Sequence, residues 1–251
     1  MIDSIDIIMP AYNSERTIGT AIESVLNQTF KNFKLIIIDD HSNDSTYEIA
    51  SHYAKNDRRI VLIKNKNNKG VSATRYEGIK RAKSDWIAFL DSDDYWRNDK
   101  LEKQVNLQDE TKGKLFYTGS AFVNEDGEIY SYELDVPLRL TYKELLKQNL
   151  LSNSSSLVYK NLYLNNIVIR DDIHEDYAVW LSILNGDEIA YGINEPLLIY
   201  RISSKSKSGN KIKAAKMNWR TYRCCKLGLL ESIYYMFWYT IKGIMKYKNF
   251  K

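Results

Sequence analysis

Four short, almost continuously apolar runs punctuate the first ninety residues, at 5–9, 35–38, 60–63 and 86–90. Runs of this length are what strands buried on both faces look like. The segments between them change period. Ile18, Ala21, Ile22 and Val25 fall at i, i+3, i+4 and i+7, one apolar helical face. Ile49, Ala50 and Tyr53 mark a second helix, and a third is expected over residues 71–83. Strands alternating with helices make an α/β architecture with a mostly parallel, Rossmann-like central sheet and right-handed crossovers the default. Pro10 stops the first strand, and Asn13 or Ser14 then stands where a helix cap is wanted.

Two of these strands end in acid. Residues 35–38 lead into Asp39-Asp40, and residues 86–90 into Asp91-Ser92-Asp93-Asp94. In a parallel sheet both ends lie at the carboxyl edge, where open α/β folds bind ligands. Five carboxylates converging there repel one another unless a cation or hydrogen-bond donors neutralise them. The bland reading is a polar loop with Asp94 or Asp99 capping the next helix. The sharper one is a site for a nucleotide sugar. Carboxylates accept from a base N–H and from ribose hydroxyls, and Mg²⁺ or Mn²⁺ bridges one acid to the phosphates.

Beyond Trp96 the pattern loosens. Leu101, Val105 and Gln108 share a helix that Asn98 is placed to cap, and strands are expected at 115–123, 129–132, 155–159 and 197–200. Thr141-x-x-Glu144 is a capping box. The expected units are a nucleotide-sugar-binding half (1–96), an acceptor-binding half that supplies a catalytic base (97–204) and a basic, aromatic helical tail (205–251). Net charge is +4, but residues 205–251 hold twelve Lys and Arg against Glu231 alone, a net +11 that leaves −7 on the body. Leu227, Leu230, Ile233, Tyr234, Phe237, Trp238, Ile241 and Met245 give the tail a broad apolar face. This suits peripheral attachment to an anionic membrane surface, a contact in a homodimer, or docking on the chain's own body. No nucleic-acid recognition fold is evident. The adjacent Cys224 and Cys225 form no disulfide framework or zinc motif. No signal-peptide pattern and no run of about 20 apolar residues occurs. The expected location is cytoplasmic, or peripheral on the inner face of the cell membrane.

The segments 8–13 (Ile-Met-Pro-Ala-Tyr-Asn), 38–46 (Ile-Asp-Asp-His-Ser-Asn-Asp-Ser-Thr), 70–75 (Gly-Val-Ser-Ala-Thr-Arg) and 90–94 (Leu-Asp-Ser-Asp-Asp) resemble, in order and spacing, the successive signatures of family 2 inverting glycosyltransferases. The resemblance covers roughly residues 5–208. It implies the GT-A fold, a nucleotide-diphosphate sugar donor, usually a UDP-sugar, and a divalent cation. Pro10, Ala11 and Tyr12 would lie against the uracil, with Asp40 accepting its N–H and Asp39 supporting that loop or the ribose. Arg75 would reach towards the nucleotide, Asp91 and Ser92 contact the donor, and Asp93 bind the metal. His174-Glu175-Asp176 resembles the family's Glu-Asp motif, which makes Asp176 the base and Glu175 an orienting or acceptor-binding residue. By itself the pair would read as two acids in the first turn of a helix.

The segment 200–203, Tyr-Arg-Ile-Ser, departs from a family pattern that often ends in His. Ser203 removes that contact and leaves Arg201 and Lys205 as diphosphate partners, with a Ser- and Lys-rich closing loop over 203–213. The Gln-x-x-Arg-Trp motif of processive synthases is absent, and Asn218-Trp219-Arg220 is a poor substitute, so one sugar per glycan or lipid-linked acceptor is expected. The rival readings are a Mg²⁺-dependent phosphatase or nucleotidyltransferase and an inactive sugar-nucleotide-binding scaffold. The phosphatase motif would follow the first strand rather than the fourth, and a scaffold would lack a base or metal ligand.

Overall fold

The computed structural model of the chain describes residues 2–186, 188–202 and 211–248. Its first half alternates as the periodicity demands: β1 (Ile5–Ala11), α1 (Ile18–Leu26), β2 (Phe33–Asp39), α2 (Thr46–Asn56), β3 (Ile60–Lys64), α3 (Val71–Arg81) and β4 (Trp86–Phe89). These strands lie in the order β3-β2-β1-β4, and every pair is parallel. There follow β5 (Tyr95–Trp96), α4 (Lys100–Thr111), β6 (Leu115–Val123), β7 (Ile129–Leu134), β8 (Arg139–Leu140), α5 (Tyr142–Lys147), a 3₁₀ turn (Asn153–Ser155), β9 (Leu157–Tyr159), α6 (Lys160–Leu164), α7 (Glu175–Leu184) and β10 (Ala190–Arg201). Two helices, α8 (Lys211–Cys224) and α9 (Leu229–Lys248), close the described chain.

The sheet does not stop at β4. It continues β4-β9-β6-β10-β5, and with β7 paired to β6 and β8 to β10 the sheet has ten strands among the described residues. Here it becomes mixed, because β9 runs antiparallel to both β4 and β6 while β10 is parallel to β6. The strand expected at 197–200 is the end of the longer β10, whose register shifts around Pro196. Proline cannot donate to the ladder, which favours a bulge there.

Alternate residues of the parallel strands feed two cores. Ile8, Ile36, Ile38, Ile87 and Phe89 pack with Ile79 of α3 and Trp180 of α7. Ile7, Met9, Leu35, Ile37 and Leu90 pack with Ile18, Ile22 and Val25 of α1 and Leu101 of α4. Each fully buried aliphatic side chain contributes about 1.5–3 kcal/mol. At Gly78 an added Cβ would sit 2.5 Å from Ile8 Cγ2, so glycine lets α3 lie directly on β1.

The expected helix caps are only partly present. Thr141 and Glu144 form their capping box. Asn13 and Ser14 do not cap α1, whose N-cap is Thr17 without a side-chain bond. Instead the two loops after β1 and β2 are laced together. Asn13 Oδ1 accepts from Asn43 N (2.9 Å), Ser14 N donates to Thr46 Oγ1 (2.7 Å), and Glu15 and Asp44 bond each other's loops. Asn13 adopts φ 48°, a left-handed conformation that asparagine tolerates better than most residues. Asn98 likewise does not cap α4. That position is Asp99, which pairs with Lys103 at 2.8 Å. Of the closing loop, residues 203–210, with Ser203 and Lys205, lie outside the described residues, and residues 211–213 begin α8.

Candidate active site

The carboxyl ends of β1, β2 and β4 bring the first three motifs to one edge of the sheet. Pro10 and Ala11 are buried at the end of β1, and Tyr12 beyond them is exposed. Asp39 is fully buried. Its Oδ2 accepts from Ser42 N, whereas Oδ1 has no hydrogen-bond partner, an acceptor whose burial asks for a donor. Asp40 is already engaged. Its carboxylate takes Asn65 Nδ2 (2.7 Å), Lys69 N (3.0 Å) and Gly70 N (2.9 Å), and so fixes the loop that leads into α3. Accepting a base N–H would add to, or replace, these bonds.

After β4, Asp94 N donates to Asp91 O at 3.1 Å and closes a tight turn with Ser92 and Asp93 at its corners. Ser92 is buried and Asp93 faces solvent. The fold behind Asp93 strips away part of its hydration. That loss of hydration, followed by the Asp91 charge, pushes its carboxyl up to about 6. Asp94 is buried, and its carboxyl lies well above the usual range because of burial first and then the Asp93 and Asp91 charges. Its Oδ1 accepts from Arg201 N at 3.0 Å.

Arg201 does not reach out from this turn. Its guanidinium is spent on the carbonyls of Asp93 (3.2 Å), Asn124 (3.0 Å) and Glu125 (3.1 Å), a strut holding the acidic turn to the β6–β7 connection. A phosphate contact would require exchanging those bonds.

Arg75 departs most from the expected placement. It is buried rather than extended towards a nucleotide, and it joins two carboxylates. Nη2 lies 2.8 Å from Asp91 Oδ1 and Nη1 lies 2.7 Å from Glu175 Oε1. With its amide oriented to present the carbonyl, Asn153 accepts from Nε and Nη1 at 3.2 Å. Burial works against the guanidinium's charge, but Asp91 and Glu175 more than offset it and hold its pKa above the ordinary value. One side chain thus ties the acidic turn to the start of α7.

Asp176 follows at that start, half-buried, with Oδ1 accepting from Tyr177 N at 2.8 Å. Its carboxyl is raised, by burial first and the Glu175 charge second, with His174 and Arg75 acting in the other direction. A raised carboxylate is the better proton acceptor near neutrality. The helix itself is held from behind. Tyr177 Oη donates to Leu145 O (2.9 Å), and Thr221 Oγ1 of α8 accepts from His174 N (3.1 Å).

Some of the supporting residues gave no signal in the sequence reading. Ser155 and Ser156 are expected to open a strand and nothing in the sequence ties 152–154 to the site, yet Asn153, Ser154 and Ser155 form a 3₁₀ turn before the strand and all four of residues 153–156 are buried. Ser154 Oγ accepts from Asp91 N (3.1 Å), and Ser154 O accepts from Trp96 Nε1 (2.7 Å). The reciprocal bonds of Ser152 and Ser155 make a small capping box, the one local cue available. Lys100, buried over the Trp96 ring at 4.0 Å and bonded to Gln104, supports the same turn. Burial holds its pKa well below the ordinary lysine value.

The family model described as Glycosyl transferase family 2 matches residues 6–176. Among similar proteins, "Putative teichuronic acid biosynthesis glycosyltransferase TuaG" of Bacillus subtilis is 36% identical over 87% of this chain and 87% of its own. "UDP-Glc:alpha-D-GlcNAc-diphosphoundecaprenol beta-1,3-glucosyltransferase WfgD" of Escherichia coli is 36% identical over 98% of both chains. Among solved structures, S. aureus TarS 1–349 in complex with UDP-GlcNAc superposes with a TM-score of 0.71 at 18% identity, over 93% of this chain and 70% of that one. The mannosyltransferase PcManGT from Pyrobaculum calidifontis, in complex with GDP-Man and Mn²⁺, gives 0.72 at 13% identity, over 92% and 69%. The chain belongs to glycosyl transferase family 2 and is an α/β enzyme with the GT-A fold.

Proposed function

We propose that the enzyme is an inverting, non-processive transferase that moves one sugar from a UDP-sugar to a hydroxyl of a lipid-linked glycan. The observation that carries the reading is the Arg75 bridge, which sets the donor turn (Asp91) and the base pair (Glu175, Asp176) in one rigid constellation. Two relatives of 36% and 34% identity, named as UDP-Glc-dependent glucosyltransferases acting on a diphosphoundecaprenol-linked sugar, support the donor and acceptor classes. Their diphosphoundecaprenol-linked acceptors support a lipid-linked acceptor for this chain as well.

In this reading the acceptor hydroxyl gives its proton to Asp176 while its oxygen attacks the anomeric carbon. The bond to the nucleotide diphosphate breaks on the opposite face, which inverts the centre. Asp176 Oδ1 is held by Tyr177 N, which orients Oδ2 for the proton. Glu175 holds Arg75, and Asp91 is positioned for donor hydroxyls. Asp39 Oδ1, buried and unpartnered, is suited to a donor from the nucleoside. The oxygen donors of the acidic turn fit Mg²⁺ or Mn²⁺, which Asp93 would hold. Such a cation supplies positive charge to the leaving diphosphate.

A thermal-shift panel of nucleotide sugars with Mn²⁺ tests the donor. A UDP-sugar is expected to raise Tm, by about 2.7 kcal/mol of stabilisation at a hundredfold excess over Kd. Asp93→Ala should remove the Mn²⁺-dependent part, and a metal-dependent gain surviving in that variant would exclude Asp93 as ligand.

The metal should also compete with protons. Asp93 is protonated below about 6 in the folded chain, so calorimetric Mn²⁺ affinity should climb about tenfold per pH unit below that value and level off above it. In the absence of metal the sign for stability is opposite to that of an ion-paired acid. Asp93 and Asp94 bind protons more tightly folded than unfolded. Stability is therefore lost as pH rises from the ordinary carboxylate range through about 6.

A further inference from the structure

Helix α9 is apolar on both sides. Ser232, Tyr235, Met236 and Tyr239 face the body, with Ser232 fully buried and Asn218 Nδ2 of α8 lying 3.2 Å from Met236 Sδ. Leu227, expected on the outer face, is instead buried in the turn before the helix. The opposite face carries Leu230 (81% exposed), Ile233, Tyr234, Phe237 (60% exposed) and Trp238, a stripe at i, i+3, i+4, i+7 and i+8. A helix with apolar residues all round is normally covered all round, and a contiguous exposed apolar stripe marks an interaction surface. Beside it, between α8 and α9, lies a shallow cavity of about 560 Å³, open to solvent and lined by Ile212, Ala215, Trp219 and Met236, with Lys216 and Arg220 contributing cationic side chains.

We propose that this outer face of α9, with the α8–α9 cavity, is a docking surface for an anionic lipid bilayer. It rests on the reading that the acceptor is lipid-linked, and it assigns the residues that meet the membrane. Charge selects the occupant. The tail's net +11 favours anionic headgroups, whereas pairing two copies through the same stripe would bring two such tails together. Tyr and Trp within the stripe favour the water–lipid boundary, and among the described residues no helix is long and apolar enough to cross a membrane. The surface is also connected to the chemistry. Helix α8, which forms one wall of the cavity, holds His174 through Thr221 Oγ1 (3.1 Å) and Ala214 O (3.3 Å), two positions before the proposed base. Docking α9 flat on a bilayer would therefore hold the start of α7 at a fixed height above the lipid.

The test is co-sedimentation of the full chain with vesicles of phosphatidylcholine alone or with 30 mol% phosphatidylglycerol (about a third anionic lipid), without donor or acceptor. Sedimentation with the anionic vesicles is expected, falling at least about tenfold for Leu230→Asp/Phe237→Asp and in high salt, since surface charge attraction is screened. Both positions are solvent-exposed, so an unchanged Tm should accompany the loss. Transfer to a short-chain, water-soluble acceptor should be unaffected by the pair of substitutions. Its failure in the wild type would count against the transferase reading, not against the docking surface. Undiminished sedimentation of the variant, or a wild-type dimer in solution that the variant converts to monomer, would overturn the proposal.

Discussion

Asp176→Asn is expected to lower the rate of sugar transfer by about 10²–10⁴-fold, the range associated with a positioned general base, while donor affinity measured by calorimetry stays within about twofold. Asparagine keeps an oxygen for Tyr177 N, so the start of α7 should be preserved and only the proton acceptor lost. Wild-type activity should fall as pH drops through the raised Asp176 value, because its carboxylate is then protonated. The variant's residual activity should lack that limb. Full transfer by Asp176→Asn would remove it as the base and turn attention to Glu175, whose engagement with Arg75 at 2.7 Å argues against that role.

The second large effect belongs to Arg75→Met. Removing one member of a buried ion pair leaves the other uncompensated, at a cost of about 3–5 kcal/mol. Glu175 is buried and should account for most of this. Asp91 is over a third exposed and its share is screened by solvent. Chemical denaturation should show the loss as a lower midpoint with unchanged slope. Arg75→Lys should recover little, because one ammonium cannot replicate a fork whose arms contact Asp91 and Glu175 separately. The triple variant Arg75→Met/Asp91→Asn/Glu175→Gln separates charge from packing. If stranded carboxylates cause the loss, stability returns towards wild type while transfer stays abolished. A triple variant as unstable as the single one would mean that Arg75 acts by filling space.

These two positions also show how far the sequence could be read. Strand runs and the acids that end them are local patterns, so the parallel half and the delivery of Asp39, Asp40, Asp91 and Asp93 to one edge of the sheet followed from spacing alone. Asp176 needed the family resemblance, since two acids in a first helical turn are ordinary. The direction taken by Arg75 was not legible. Its helix position allowed a ligand contact, but its partners stand 16 and 100 residues away. The buried serines at 152–156 were hidden for the same reason. Local pattern offered only a strand beginning at Ser155, and it is the insertion of β9 between β4 and β6 that places them beneath the acidic turn. Arg201 followed the family pattern by type but is committed to carbonyls of a turn that no local pattern tied to it. The tail's outer face was partly legible, because helical spacing fixes which residues share a side. Leu227 fell outside it because the helix begins two residues later, at Leu229.

The 100-residue separation of Arg75 from Glu175 also fixes an order of events while the chain is being made. At roughly 5–20 residues per second, Arg75 leaves the ribosome about 5–20 s before its second partner. Of its two carboxylate partners, only Asp91 is available to it during that interval. The nascent amino-terminal half can therefore lay down its parallel strands and its acidic turn, but the base arrives on a later helix. Catalytic competence is acquired in one late step, when α7 docks and the waiting guanidinium takes its second carboxylate.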